Sequence, residues 1–227
     1  MKSDYAQRTL SAWRLVAFCI ISAVIITGCG NSEETTTAGV GTGGTGTLAK
    51  VISGSVADGY LVNATVFLDR NGNELLDAGE PSTKTDKNGA YTLSVDPADI
   101  GKYPIFAQAI QGVTIDKDTN QTVANSYILS LPKEFVSDSV NSNFISPIST
   151  QIYKTKIENP NMPLDDIMDQ LRVKMNLPDG INMRADYVGL GAANSLDPNR
   201  HNYQIMHTMA QNMVPPRVMT GTEMMGR

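Results

Sequence analysis

Cysteine is almost missing from this chain. Of 227 residues only Cys19 and Cys29 carry a thiol, and both lie near the N-terminus. Beyond residue 29 no disulfide can form, no thiol nucleophile exists and no Cys-x-x-Cys-His haem attachment is possible. Aromatic residues are scarce too, with five Phe, eight Tyr and a single Trp at Trp13. That supply is too small for a broad stacking platform on a domain surface. Histidine occurs twice, at His201 and His207. A six-residue separation on a helix turns the two rings about 120° apart, so they cannot clamp one metal as an i, i+4 pair does. Surface or helix-packing histidines are the simpler reading. No G-x-S-x-G elbow, P-loop or dinucleotide fingerprint appears, and the glycine-rich "GTGGTGT" at 41–47 follows no strand. Positive charge is in deficit, with 18 Lys and Arg against 23 Asp and Glu for a net charge of −5. Without basic clusters, nucleic acid is excluded as a partner class.

Long apolar runs are absent as well, but a short one is informative. Behind Lys2, Arg8 and Arg14, twelve mostly apolar residues run from Leu15 to Ile26. As a helix they reach about 18 Å against roughly 30 Å of bilayer hydrocarbon, which fits a signal-peptide core and not a membrane span. The run ends in Ile26-Thr27-Gly28-Cys29. This tetrapeptide resembles the bacterial lipobox, which implies cleavage after residue 28 and a diacylglycerol lipid on Cys29. Loss of residues 1–28 removes Lys2, Arg8, Arg14 and Asp4, leaving 199 residues with a net charge of −7. Lipid, and not charge, would then hold the protein at a membrane. Gly30 stands where lipoproteins retained at an inner membrane often carry Asp. The expected location is therefore the cell envelope, on the outer membrane of a Gram-negative cell, facing periplasm or surface.

Residues 29–47 read as the lipidated cysteine and a flexible Gly/Thr tether, since Val40 is the one large apolar side chain between 30 and 47. About eighteen such residues span roughly 20–25 Å on average. From 48 to 132 the pattern is β. Val62, Ala64, Val66 and Leu68 alternate with Asn63, Thr65 and Phe67, and Asp58-Gly59 ahead of them is a turn signal. Asn88-Gly89 is a hairpin signal before the alternating Tyr91, Leu93 and Val95. "YPIFAQAI", "QGVTI" and "TVANSYILSL" supply further strands. Six or seven short strands with Gly, Asn and Asp turns predict a small β-sandwich. From 140 to 213 the period becomes helical. One helix starts at Pro147 and stops before Pro160. A second carries Leu164, Ile167, Met168, Leu171 and Met175 on one face, and a third lies near Pro198 to Met213. Asp165, Asp166 and Asp169 form a solvated helix face. The fold class is thus mainly β with α, an immunoglobulin-like or transthyretin-like sandwich followed by a short helical region. Residues 214–227 form a Met-rich tail, in which Met219, Met224 and Met225 are conceivable soft ligands for copper(I).

The stretch "DRNGNELLDAGE" at 69–80 sets oxygen-bearing side chains at positions 1, 3, 5, 9 and 12 of a twelve-residue loop: Asp69, Asn71, Asn73, Asp77 and Glu80. With the Leu75 backbone carbonyl at position 7, these six supply the oxygen set that Ca²⁺ prefers. Leu76 at position 8 is an apolar residue that packs inward. Glu74 occupies position 6, where an EF-hand carries glycine, and strands flank the loop instead of helices. The competing reading is a solvated hairpin loop whose Asx side chains cap its own backbone.

The segment from Ala57 to Val95 resembles the SdrD B-like and carboxypeptidase-regulatory-like (CnaB-type) β-sandwich modules of bacterial surface proteins. The resemblance rests on Ala64–Phe67, on Asp69, Asn71, Asp77, Gly79 and Glu80, and on Thr85, Asp86, Gly89 and Tyr91. It covers 39 of the 199 residues. It implies a loop that binds calcium and stiffens a stalk or adhesive domain. Extracellular loops of this kind bind at about 10⁻⁴–10⁻³ M, and with a dissociation constant near 0.1 mM, roughly 1 mM calcium would add about 1.4 kcal/mol. The expected function is non-enzymatic: an envelope-anchored lipoprotein with a structural, adhesive or surface-complex role, whose partners are the membrane and another envelope or surface protein. The alternative is an accessory binding module for a secreted hydrolase or carbohydrate-active partner.

Overall fold

The computed structural model describes residues 48–139 and 142–213. The signal segment, Cys29, the tether and the Met-rich tail lie outside the described residues. Ten strands appear: β1 (Lys50–Val56), β2 (Leu61–Val62), β3 (Thr65–Leu68), β4 (Ser82–Lys84), β5 (Ala90–Val95), β6 (Ile105–Ala109), β7 (Ile115–Asp116), β8 (Gln121–Thr122), β9 (Tyr127–Leu131) and β10 (Asn143–Ile145). Four helices accompany them: α1 (Pro147–Glu158), α2 (Leu164–Lys174), α3 (Tyr187–Gly191) and α4 (Arg200–Gln211). The protein is therefore mainly β with helices, as the sequence predicts. Among the described residues no helix is long and apolar enough to cross a membrane.

Two sheets, ordered β10-β1-β5 and β4-β3-β6-β9, share one core, and a ribbon of β2, β7 and β8 lies beside them. Alternation sets the inner face. In β5, Tyr91, Leu93 and Val95 are buried while Thr92 and Ser94 are exposed. Strands β6 and β9 are buried throughout, because the second sheet is covered on both faces. Its inner side sends Val66, Leu68, Ile105 and Leu129 into the main core. Its outer side carries Phe67, Phe106 and Ile128, covered by Tyr153 of α1 and by Leu75 and Leu76. Phe67 stacks on Phe106 at 5.7 Å, and Tyr153 meets Phe106 edge-on at 5.4 Å. Pairs of this kind contribute about 0.5–1.5 kcal/mol each beyond their area. Phe67, grouped by alternation with polar Asn63 and Thr65, is thus a core residue of a second layer.

Pairing is antiparallel except between β1 and β10, which run parallel with Gly54 opposite Asn143. The strand at 143–145 falls in a stretch with no strand signal of its own. Asn143 is fully buried and acts as its anchor. Its Nδ2 donates to the Ser53 carbonyl at 2.9 Å and the Ser137 carbonyl at 2.8 Å, and its Oδ1 accepts from Ser137 N. Asn88-Gly89 forms a turn closed by Asp86, whose Oδ1 accepts from the Asn88 and Ala90 amides. The strands it joins do not pair with one another: β4 bonds to β3, and β5 to β1. The turn carries the chain from one sheet to the other, not around a hairpin.

Immediately after β10, Ser146 caps α1 in a reciprocal capping box with Ser149, and Pro147 takes the first helical position. Helix α2 buries Ile167 and Leu171, with Asp165 and Asp166 at its positive end and Arg172 and Lys174 at its negative end. Helix α4 buries Tyr203, Met206 and Ala210, and Met209 and Met213 pack beside them. No boundary in the packing falls between 132 and 140. One cluster of buried residues runs from Ile52 in β1 to Ala210 in α4, so the helices help to form the sandwich core.

Candidate functional site

The loop at 69–80 connects β3 to β4 and folds back onto the outer face of its own sheet. Asp69, at its start, is fully buried. Its Oδ1 accepts from the Asn71 and Gly72 amides at 3.2 and 2.7 Å, and its Oδ2 accepts from the Glu74 amide at 2.9 Å. Glu80 closes the other end, accepting from Arg70 N at 2.7 Å and Asp77 N at 3.0 Å. Between them, Asn71 Nδ2 and Asn73 Nδ2 both donate to Asp77 Oδ2 at 2.6 Å. Glu74 adopts φ +62, so the left-handed turn at the sixth position forms without glycine there. The Leu75 side chain packs on the Phe67–Phe106 cluster. Arg70 fastens the loop sideways through two hydrogen bonds to Asp99 Oδ2 at 2.6 and 2.9 Å.

The loop thus brings Asn71, Asn73 and Asp77 together, while Asp69 and Glu80 face its backbone amides. In this arrangement Asp77 Oδ2 is taken up by two amide donors. Among the described residues, no group of three or more His, Cys, Asp or Glu is arranged to hold a metal ion. Cys29 lies outside the described residues.

A second polar centre draws on residues far apart in sequence. Asp58 lies in the turn between β1 and β2, Asp116 ends β7, and Asp118 follows in the turn to β8. His207 of α4 donates from Nε2 to Asp118 Oδ2 at 2.7 Å and lies 3.0 Å from the Asp58 carbonyl oxygen. Gln211 Nε2 donates to the same Asp118 oxygen at 2.7 Å. Tyr127 Oη donates to Asp58 Oδ2 at 3.3 Å, whereas Asp58 Oδ1 is buried without a hydrogen-bond partner. Burial first, and then the Asp116 and Asp118 carboxylates, push the Asp58 carboxyl up to about 7. Burial also raises Asp116. The close fit needs Gly59, because a Cβ there would sit 2.2 Å from Asp116 Oδ1 and 2.6 Å from Asp118 Cγ. A cleft of about 290 Å³ opens beside Asp58, Asp116 and Tyr127. In the sequence, Asp58-Gly59 reads only as a turn. The one local hint was the Asp-Lys-Asp triplet at 116–118.

A smaller constellation ties α3 to the strands. Asp186 caps α3 by accepting from Gly189 N, and its Oδ2 accepts from Tyr60 Oη at 2.7 Å and Ser55 Oγ at 3.3 Å. Burial and this bond raise the Tyr60 phenol. These groups fix a helix end.

Compared with known proteins, the chain matches no family model and no curated protein. Among solved structures it is similar to the 9R-lipoxygenase from Cyanothece PCC8801, with 16% sequence identity and a TM-score of 0.27. The likeness covers 69% of this chain and 32% of that one, and at this level it carries no argument about fold or activity.

Proposed function

We propose that this chain is a non-enzymatic protein of the bacterial cell envelope. It is held by lipid on Cys29, and its sandwich is stiffened by calcium at loop 69–80. Its role is structural, adhesive or complex-assembling toward another envelope or surface protein. The observation that carries this reading is the convergence of Asn71 and Asn73 on Asp77 inside a loop already closed by Asp69 and Glu80. Rotating the two amides, at the cost of the bonds their oxygens accept from Asn73 N and Leu75 N, would turn those oxygens toward the Asp77 carboxylate, where a cation could meet all three. The left-handed Glu74 and the anchoring of Leu75 and Leu76 hold the frame in which that exchange takes place. The module family that residues 57–95 resemble uses such loops in surface stalks. The accessory-module alternative calls for an exposed aromatic platform, whereas every described Phe and Tyr is buried or half-buried.

Calorimetric titration of the full chain with calcium tests the proposal, alongside the variant Asn73→Ala/Asp77→Ala. The expected result is saturable binding at about 0.1–1 mM, absent from the variant, with a melting temperature raised by roughly 3–5 °C at saturating calcium. No heat and no thermal shift at several millimolar would leave 69–80 as a polar turn and remove calcium from the function.

A further inference from the structure

The second polar centre has a property that the calcium reading does not use. Three carboxylates, Asp58, Asp116 and Asp118, are crowded where the β1–β2 turn meets the β7–β8 turn, and a single imidazole, His207, reaches them from α4. The two turns meet at Gly59 so closely that only a residue without a side chain fits between them. Asp118 spends one oxygen on His207 and Gln211, so α4 is fastened to the ribbon through that carboxylate. Asp58 has one oxygen on Tyr127 and one buried with nothing to accept from. A buried, unpartnered carboxylate oxygen beside two like charges is costly when ionised and much less so when it carries a proton.

We propose that this cluster is a proton-dependent clasp, closed while Asp58 is protonated and loosened when it ionises, with α4 and the β7–β8 turn as the parts released. The groups that face Asp58 are Asp116 and Asp118 from the ribbon, Tyr127 from β9, His207 from α4 and Tyr187 from α3. Lys117, between the two ribbon aspartates, lines a different cleft with Tyr60 and Asp186. Tyr187 packs its ring 5.9 Å from that of His207, so α3 senses any displacement of α4. Protons reach the cluster through the cleft beside Asp58 and Tyr127.

The direction follows from linkage. The closed state holds its proton on Asp58 up to about pH 7, whereas an opened, hydrated Asp58 gives it up near its ordinary value of 3.8. The open state therefore binds fewer protons between those limits, and closure weakens as pH rises through that window, levelling off above it. The neighbouring carboxylates reinforce this sense, since each disfavours a charge on Asp58.

Amide hydrogen exchange of the full chain, corrected for the intrinsic pH dependence of exchange, reads the clasp directly. Between pH 5 and 7.5, protection of the peptide covering α4 should fall roughly 70-fold relative to α2, then stay level to pH 8.5. Asp58→Asn should abolish most of that fall. If this variant fails to fold, Asp116→Asn, which removes one of the repelling charges, should make the fall smaller and move it to lower pH. An α4 profile that follows α2 at every pH would overturn the proposal, as would a variant that keeps the full wild-type fall.

Discussion

Replacing Asp69 by Ala is expected to lower stability by about 3 kcal/mol, since three backbone N–H groups lose their acceptor at a buried position. For a domain of this size that is roughly 6–12 °C in melting temperature. The three amides, of Asn71, Gly72 and Glu74, all point at one carboxylate that solvent does not reach. Water can replace only some of these bonds, and the loop would no longer press Leu75 and Leu76 onto Phe67 and Phe106. Asp69→Asn keeps one oxygen and should cost about a third as much. The loss should be the same with chelator present, because these bonds form without any ion. Thermal melts of both variants with and without calcium decide the matter. A deficit that appears only in calcium would assign Asp69 to the ion instead of to the backbone.

The second large effect concerns the parallel pairing of β1 with β10. A methyl group on Gly54 would lie 1.9 Å from the Asn143 carbonyl oxygen and 2.6 Å from its carbon, both backbone atoms that cannot swing aside. Gly54→Ala must therefore separate the strands. This exposes the bonds of Asn143 to Ser53 and Ser137 and weakens the Tyr91 hydroxyl's bond to the Asn143 carbonyl. The expected cost is about 3 kcal/mol, the sum of overpacking and buried polar groups left without partners. Asn143→Ala should cost a similar amount by the second route alone. Gly72→Ala is a useful contrast: φ is +78 there but nothing stands within 4 Å, so only backbone strain of about 1 kcal/mol is expected. Urea midpoints of the three variants test the ranking. Gly54→Ala within about 1 kcal/mol of the parent would show that β10 is not tightly held.

Local structure is legible in the sequence where a residue's environment depends on its neighbours in the chain. Alternation in Tyr91, Leu93 and Val95 placed β5 with its inner face correct. The 3.6-residue stripe through Ile167 and Leu171 located α2, and prolines marked the start of α1. The loop at 69–80 was legible as a polar, self-closing unit because Asx side chains bond to amides two to five residues ahead. Phe67 was not legible as a core residue, since its burial depends on α1 arriving more than eighty residues later to lay Tyr153 over Phe106. Helix α3 has only five residues, and its capping Asp186 is held by Tyr60 and Ser55 from the other end of the chain.

The sequence by itself determined which segments alternate, which coil and where polar turns interrupt them, because those properties follow from the spacing of apolar side chains along one element. Only the tertiary structure decided that the helices complete the sandwich core and that Asn143-Phe144-Ile145 is a strand. The same holds for the junction of Asp58, Asp116, Asp118 and His207. Their hydrogen bonds and mutual repulsion act over a few ångströms of space between residues up to 149 positions apart, a proximity that no local period encodes.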